Sequence, residues 1–88
     1  MIRIDYSKLD YSRMAIVPSD VRPFAADSPL ASFAYPGYTV VADSATIGQV
    51  YQDKDGWHYM TPHGAFGARN TRKEAIAVLV AFGKRNYK

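Results

Sequence analysis

The chain has 88 residues, no cysteine, a hydrophobic fraction of 48%, a charged fraction of 22% and a formal net charge of +3. That length holds one domain with a thin stability margin, and that composition is too apolar for a disordered chain. Without cysteine there is no disulfide framework, thiolate zinc site or thiol nucleophile, and no apolar run approaches the roughly 20 residues that cross a bilayer. Met1-Ile2-Arg3-Ile4-Asp5 lacks the basic start and apolar run of a signal peptide, so the expectation is a cytoplasmic protein without membrane contact.

In chain order, Ile2, Ile4 and Tyr6 alternate with Arg3, Asp5 and Ser7, a period that predicts an edge strand. Asp5-Tyr6-Ser7-Lys8-Leu9 is followed at once by Asp10-Tyr11-Ser12-Arg13-Met14. A period of five fits neither helix nor strand, so the copies read as chance or as two similar turns; a tyrosine-bearing docking arm is the alternative. Ser28-Pro29 has the form of an N-cap followed by a first-turn proline, which predicts a short helix near residues 29–35, ended by Pro36-Gly37. The arm and this helix form an N-terminal part, 1–37, of a single domain spanning 1–88. Residues 38–88 supply the sheet and the last helix.

Tyr38–Asp43 is rich in β-branched residues and reads as a strand. Thr46–Gln52 and Trp57–Thr61 flank Asp53-Lys54-Asp55-Gly56, a strong hairpin signal. A three-residue loop, Lys54-Asp55-Gly56, sets Tyr51 opposite Tyr59 and Val50 opposite Met60. Ile47, Tyr51, Trp57 and Tyr59 then share one side of the ribbon, and Val50, Gln52, His58 and Met60 the other. A two-residue Asp55-Gly56 loop mixes these sets, so the first register is preferred. Pro62-His63-Gly64 is a further turn, and Ala65–Arg69 a short returning strand.

Thr71-Arg72-Lys73-Glu74 is a capping box, with the Thr71 hydroxyl placed to accept from the Glu74 N–H and the carboxylate placed to reach back. Advancing 100° per residue puts Ile76, Leu79, Val80, Phe82 and Gly83 on one side with Ala75 at its margin; Lys73, Ala77, Ala81 and Lys84 lie opposite. The pattern predicts a helix from about Arg72 to about Arg85. The fold expectation is therefore α+β: a small antiparallel sheet of three to five strands packed on one C-terminal amphipathic helix.

Chemistry is sparse. His58 and His63 straddle a proline turn with no ligand pattern beside them, and aligning Gly56 with the glycine of a calcium loop puts Tyr51 and Pro62 where carboxylates belong. No phosphate loop or nucleophile elbow is present, so the expectation is no enzyme, no metal and no cofactor.

From Ile47 to Lys84, the run Gly48-x-Val50, Gly56-Trp57, Gly64, Gly67 and Thr71-Arg72-Lys73-Glu74-Ala75 resembles a segment of small phage and actinobacterial proteins. In layout it is similar to the β-β-β-α unit of AP2 and integrase arm-binding domains. The resemblance implies three strands followed by a helix. AP2-type domains read DNA with arginines and aromatics projecting from the sheet, whereas Gln49, Gln52 and Lys54 stand in that region here and the hairpin carries no arginine.

Two functional expectations follow. The first is a non-catalytic binding protein, phage or mobile-element encoded, that occupies a host protein's surface as inhibitor or adaptor, with room for a homo-oligomer. If Trp57, Tyr51 and Tyr59 fill the core, its binding face carries Gln52, His58 and Met60. The second is a nucleic-acid binder, because residues 69–88 hold six basic side chains against Glu74 alone, while the first 68 hold five basic and seven acidic ones. Arg69, Arg72 and Lys73 at the helix start are its candidate phosphate contacts.

Overall fold

The computed structural model describes residues 4–22 and 34–87. Among them, five antiparallel strands lie side by side in sequence order: β1 Met14–Val21, β2 Tyr35–Ala42, β3 Ala45–Asp53, β4 Gly56–Met60 and β5 Phe66–Arg69. The helix α1, Arg72–Lys84, packs across one face. The β3-β4-β5-α1 order is the three-strand-and-helix layout expected, preceded by two further strands.

The core lies between sheet and helix. Val40, Ala42, Ile47, Val50 and Tyr59 meet Ala75, Ile76 and Leu79, with Trp57 and Phe82 half-buried at its edge. Leu79 is fully buried, which contributes about 2–3 kcal/mol. Its close approach depends on Gly48, where a Cβ would stand 2.5 Å from Leu79 Cδ2 and 2.6 Å from the Met60 carbonyl oxygen. The helical face is the one its sequence period predicts. The cap forms as well: the Glu74 N–H donates to Thr71 Oγ1 at 3.1 Å. The carboxylate takes the Thr71 hydroxyl at 3.0 Å, where the sequence pattern places the Thr71 N–H.

At the far end, Asn86 and Tyr87 adopt left-handed φ values of 55° and 59°. Their N–H groups donate to the Gly83 and Phe82 carbonyls, both at 2.8 Å, closing a Schellman motif. The Tyr87 hydroxyl donates to the Ile47 carbonyl at 2.7 Å, and burial, then Tyr6 and Tyr11, push its ionisation well above the usual tyrosine range.

The structure corrects three sequence expectations. Tyr6–Lys8 is a turn of 3-10 helix, not an edge strand; Ile2 and Arg3 lie outside the described residues. The edge strand is β1, whose Pro18 disguises it. The Arg13 carbonyl accepts from the Asp43 N–H at 2.9 Å, and counting on by twos leaves Pro18 at a position that bonds away from β2. The missing N–H of Pro18 therefore interrupts no ladder bond to β2. The short helix placed near 29–35 falls mostly outside the described residues, and Tyr35 already belongs to β2.

The third correction concerns register. Asp53 pairs with Gly56, Gln52 with Trp57, Tyr51 with His58 and Val50 with Tyr59. The loop is Lys54-Asp55, and Gly56, at φ 125°, opens β4 with no room for a Cβ 2.7 Å from the Arg69 carbonyl oxygen. Asp53 Oδ1 shapes the turn by accepting from the Asp55 N–H at 2.8 Å. The consequence is that Tyr51 leaves the helix side and joins His58 on the other face.

The pentapeptide repeat resolves into two similar turns. Asp5 Oδ1 accepts from the Ser7 N–H at 3.1 Å and Asp10 Oδ1 from the Ser12 N–H at 3.0 Å. The two tyrosines they present dock at the helix end: the Tyr6 N–H donates to Asn86 Oδ1 at 3.0 Å, and the Tyr11 hydroxyl lies where a Cβ on Gly83 would stand.

Candidate docking surface on the free face of the sheet

The face turned away from α1 is organised by cross-strand rows. One runs Ser19, Gly37, Tyr51, His58 and Ala68. Gly37 makes it possible, because a Cβ there would lie 2.8 Å from Val21 Cγ2 and 3.0 Å from Tyr51 Cβ. Tyr51 stacks on His58 with centroids 4.9 Å apart and planes 11° apart, and Tyr35 leans on Tyr51 at 4.9 Å. Burial, then Asp53 and Tyr35, raise the ionisation of the Tyr51 phenol, so it remains a neutral ring.

His58 Nε2 is shut from solvent 2.8 Å from Asp53 Oδ2, without the alignment of a hydrogen bond, so the contact is one of charge when the imidazole is protonated. The Asp53 carboxyl is held below the usual range, first by the Asp55 N–H and, against an opposing desolvation, by His58.

The next row runs Val17, Thr39, Gln49, Met60 and Phe66. Its middle is polar and internally satisfied: Gln49 Nε2 donates to Thr39 Oγ1 at 3.2 Å, and the Ser19 and Thr39 hydroxyls meet at 2.8 Å. Its β5 end is apolar. Phe66 is 81% exposed and borders a groove of about 520 Å³, which Tyr51, His58, Met60 and Ala65 also line. The groove floor is pinned by Thr61, whose buried hydroxyl accepts from the Ala65 N–H at 3.0 Å while its N–H donates to the Ala65 carbonyl at 2.8 Å.

The structure divides the sequence-predicted site residues. His58 and Met60 share the groove. Gln52 is exposed at the register position opposite Trp57, on the helix side, and does not join them. Arg69, Arg72 and Lys73 are exposed around the start of α1, with the Arg69 guanidinium 5.6 Å from the Tyr59 ring and that of Arg72 4.9 Å from the Tyr38 ring. Sequence reasoning missed Tyr51 and Phe66. The signal for Phe66 was its alternation with Gly67 in a short strand; the signal for Tyr51 was the hairpin register.

No family model, curated protein or solved structure matches the chain.

Proposed function

We propose that the chain is a non-catalytic binding module that holds a partner protein against the β4–β5 end of its free sheet face, acting as an inhibitor or adaptor. The exposure of Phe66 beside the groove carries this reading. Covering such a side chain on association contributes about 2–3 kcal/mol, and aromatic anchors in pockets dominate interface energies. The groove's polar groups serve structure: Thr61 is bonded within the turn, Tyr51 stays protonated, and the His58 nitrogen nearest Asp53 is closed to solvent.

The test is capture from a nuclease-treated lysate of the source cells on immobilised wild-type and Phe66→Asp chains. Nuclease-resistant capture that Phe66→Asp abolishes is the expected result. Capture that disappears with nuclease, and that depends on Arg69, Arg72 and Lys73 instead of Phe66, overturns the reading in favour of nucleic acid.

A further inference from the structure

We infer that the helix side of the sheet carries a second surface, around the start of α1, that binds single-stranded nucleic acid. It lies on the opposite face from the groove and goes beyond the protein-binding reading.

Strand pairing and ring contacts join side chains from β5 to β1 into one strip. Arg69 of β5 and Gln52 of β3 pair with Trp57 of β4 from its two sides. The Trp57 ring lies 6.3 Å from that of Tyr38 on β2, with planes 30° apart, and both are half-buried. The guanidinium of Arg72, the first residue of α1, lies 4.9 Å from the Tyr38 ring. Beyond it, Arg72 and Lys73 line a hollow with Ile16 of β1 and Ile76. Cations therefore flank a pair of aromatic rings on one face.

The two arginines are positioned by rings and a carbonyl, not by carboxylates. Arg69 lies 5.6 Å from the Tyr59 ring and donates to the Ala68 carbonyl at 2.7 Å. Among the described residues, the ion pairs engage Lys8, Arg13 and His58, and none engages Arg69, Arg72 or Lys73. Of the carboxylates on this face, Glu74 takes the Thr71 hydroxyl at 3.0 Å, and Asp20 stands on the edge strand β1, three strands from Trp57. The strip thus keeps a positive charge that a polyanion complements. An acidic peptide satisfies that charge alone. A nucleic acid satisfies the rings as well: its phosphates meet the cations, and its bases stack on Trp57 and on the exposed Arg72 guanidinium. Gln52, exposed beside Trp57, offers a donor and an acceptor to a base edge. Bases in a duplex are stacked on one another, so a single strand is the form that uses the rings.

The experiment titrates the full chain with oligothymidylate of about 12 nucleotides and follows Trp57, the chain's only tryptophan, by fluorescence. The controls are a base-free deoxyribose-phosphate strand, a duplex and polyglutamate, all of matched length. Oligothymidylate is expected to quench Trp57 and to bind at least about tenfold more tightly than each control. Its affinity should fall with salt at a log–log slope of about −2, from three contacts at about 0.7 each. Arg69→Gln, Arg72→Gln and Lys73→Gln should each reduce that slope by about 0.7. Should a variant unfold, the base-free strand still tests stacking on the wild-type chain. Phe66→Ser, on the other face, should leave strand binding unchanged. Equal binding of polyglutamate, of the duplex or of the base-free strand overturns the inference. So does a salt slope indifferent to the three substitutions, or a loss of strand binding in Phe66→Ser. Partner capture through Phe66 is read separately, so either surface can fail while the other stands.

Discussion

The two edges of this sheet face the same problem and treat it differently. Among the described residues, each leaves a row of backbone groups without a strand partner, the common route to unwanted strand pairing. Along β1, eight residues long, Pro18 takes an outward-bonding position and deletes its donor, and Asp20 takes the next one and adds a charge. Ile16 and Val17 remain 40% and 47% exposed on opposite faces, yet the edge is interrupted directly after them. Along β5, four residues long, no proline intervenes and both outward-bonding positions, Phe66 and Ala68, are uncharged. Shortness protects β5 from indiscriminate pairing. Its exposed aromatic, Phe66, gives it a chemical preference instead.

Substitutions can break or sharpen this contrast. The largest effect is expected where both edges share a support. Leu79→Ala should cost about 2–5 kcal/mol, and hydrogen exchange should then accelerate at β1 and β5 together. Unequal acceleration would show that the edges are held independently. Next, Thr71→Ala should cost about 1 kcal/mol, and Thr71→Gly less, as the Glu74 N–H loses its acceptor. An unmoved thermal midpoint would contradict the cap.

The edges themselves should separate stability from association. Phe66→Ser should change stability by no more than about 0.5 kcal/mol while weakening partner capture. Pro18→Val should restore an outward N–H on β1, and sedimentation should then detect concentration-dependent self-association absent from wild type. A monomeric Pro18→Val chain would mean that proline does not guard that edge.

The smallest effect concerns acid. Because the folded Asp53 carboxyl ionises below its ordinary value of 3.8, the unfolded chain binds more protons in that window. Its contribution is present above the unfolded value and is lost as pH falls through the lowered folded one. The thermal midpoint of Asp53→Asn should therefore fall less steeply than that of wild type on acidification below about pH 4. Parallel curves would remove Asp53 from the account.

What could be read in the sequence was whatever local chemistry alone determines. The Thr71–Glu74 cap and the 3.6-residue period located α1, and Asp55-Gly56 located the β3–β4 hairpin. The register was misread because segregating every large aromatic onto one face assumes a single useful face, whereas Tyr51 and His58 build a second. The β2–β3 turn, Asp43-Ser44, reverses with φ of 50° and 69° and carries no glycine to announce it. Strand β1 was hidden because proline is compatible with a strand only where its nitrogen faces outward, which depends on the neighbouring strand and not on the chain alone. The groove was illegible for the same reason: Met60 and Phe66 become neighbours only through the β4–β5 pairing.

The Tyr6–Asn86 bond spans 80 positions, whereas every strand pairs with its sequence neighbour. Contacts between near neighbours assemble quickly, and each doubling of a closed loop adds only about 0.6 kcal/mol of entropy. The sheet and helix can therefore form first and present a finished platform on which the two aspartate turns dock last. Opening of that same clasp leaves the sheet and helix hydrogen bonds in place, so the amide of Tyr6 should exchange with solvent before those of β3.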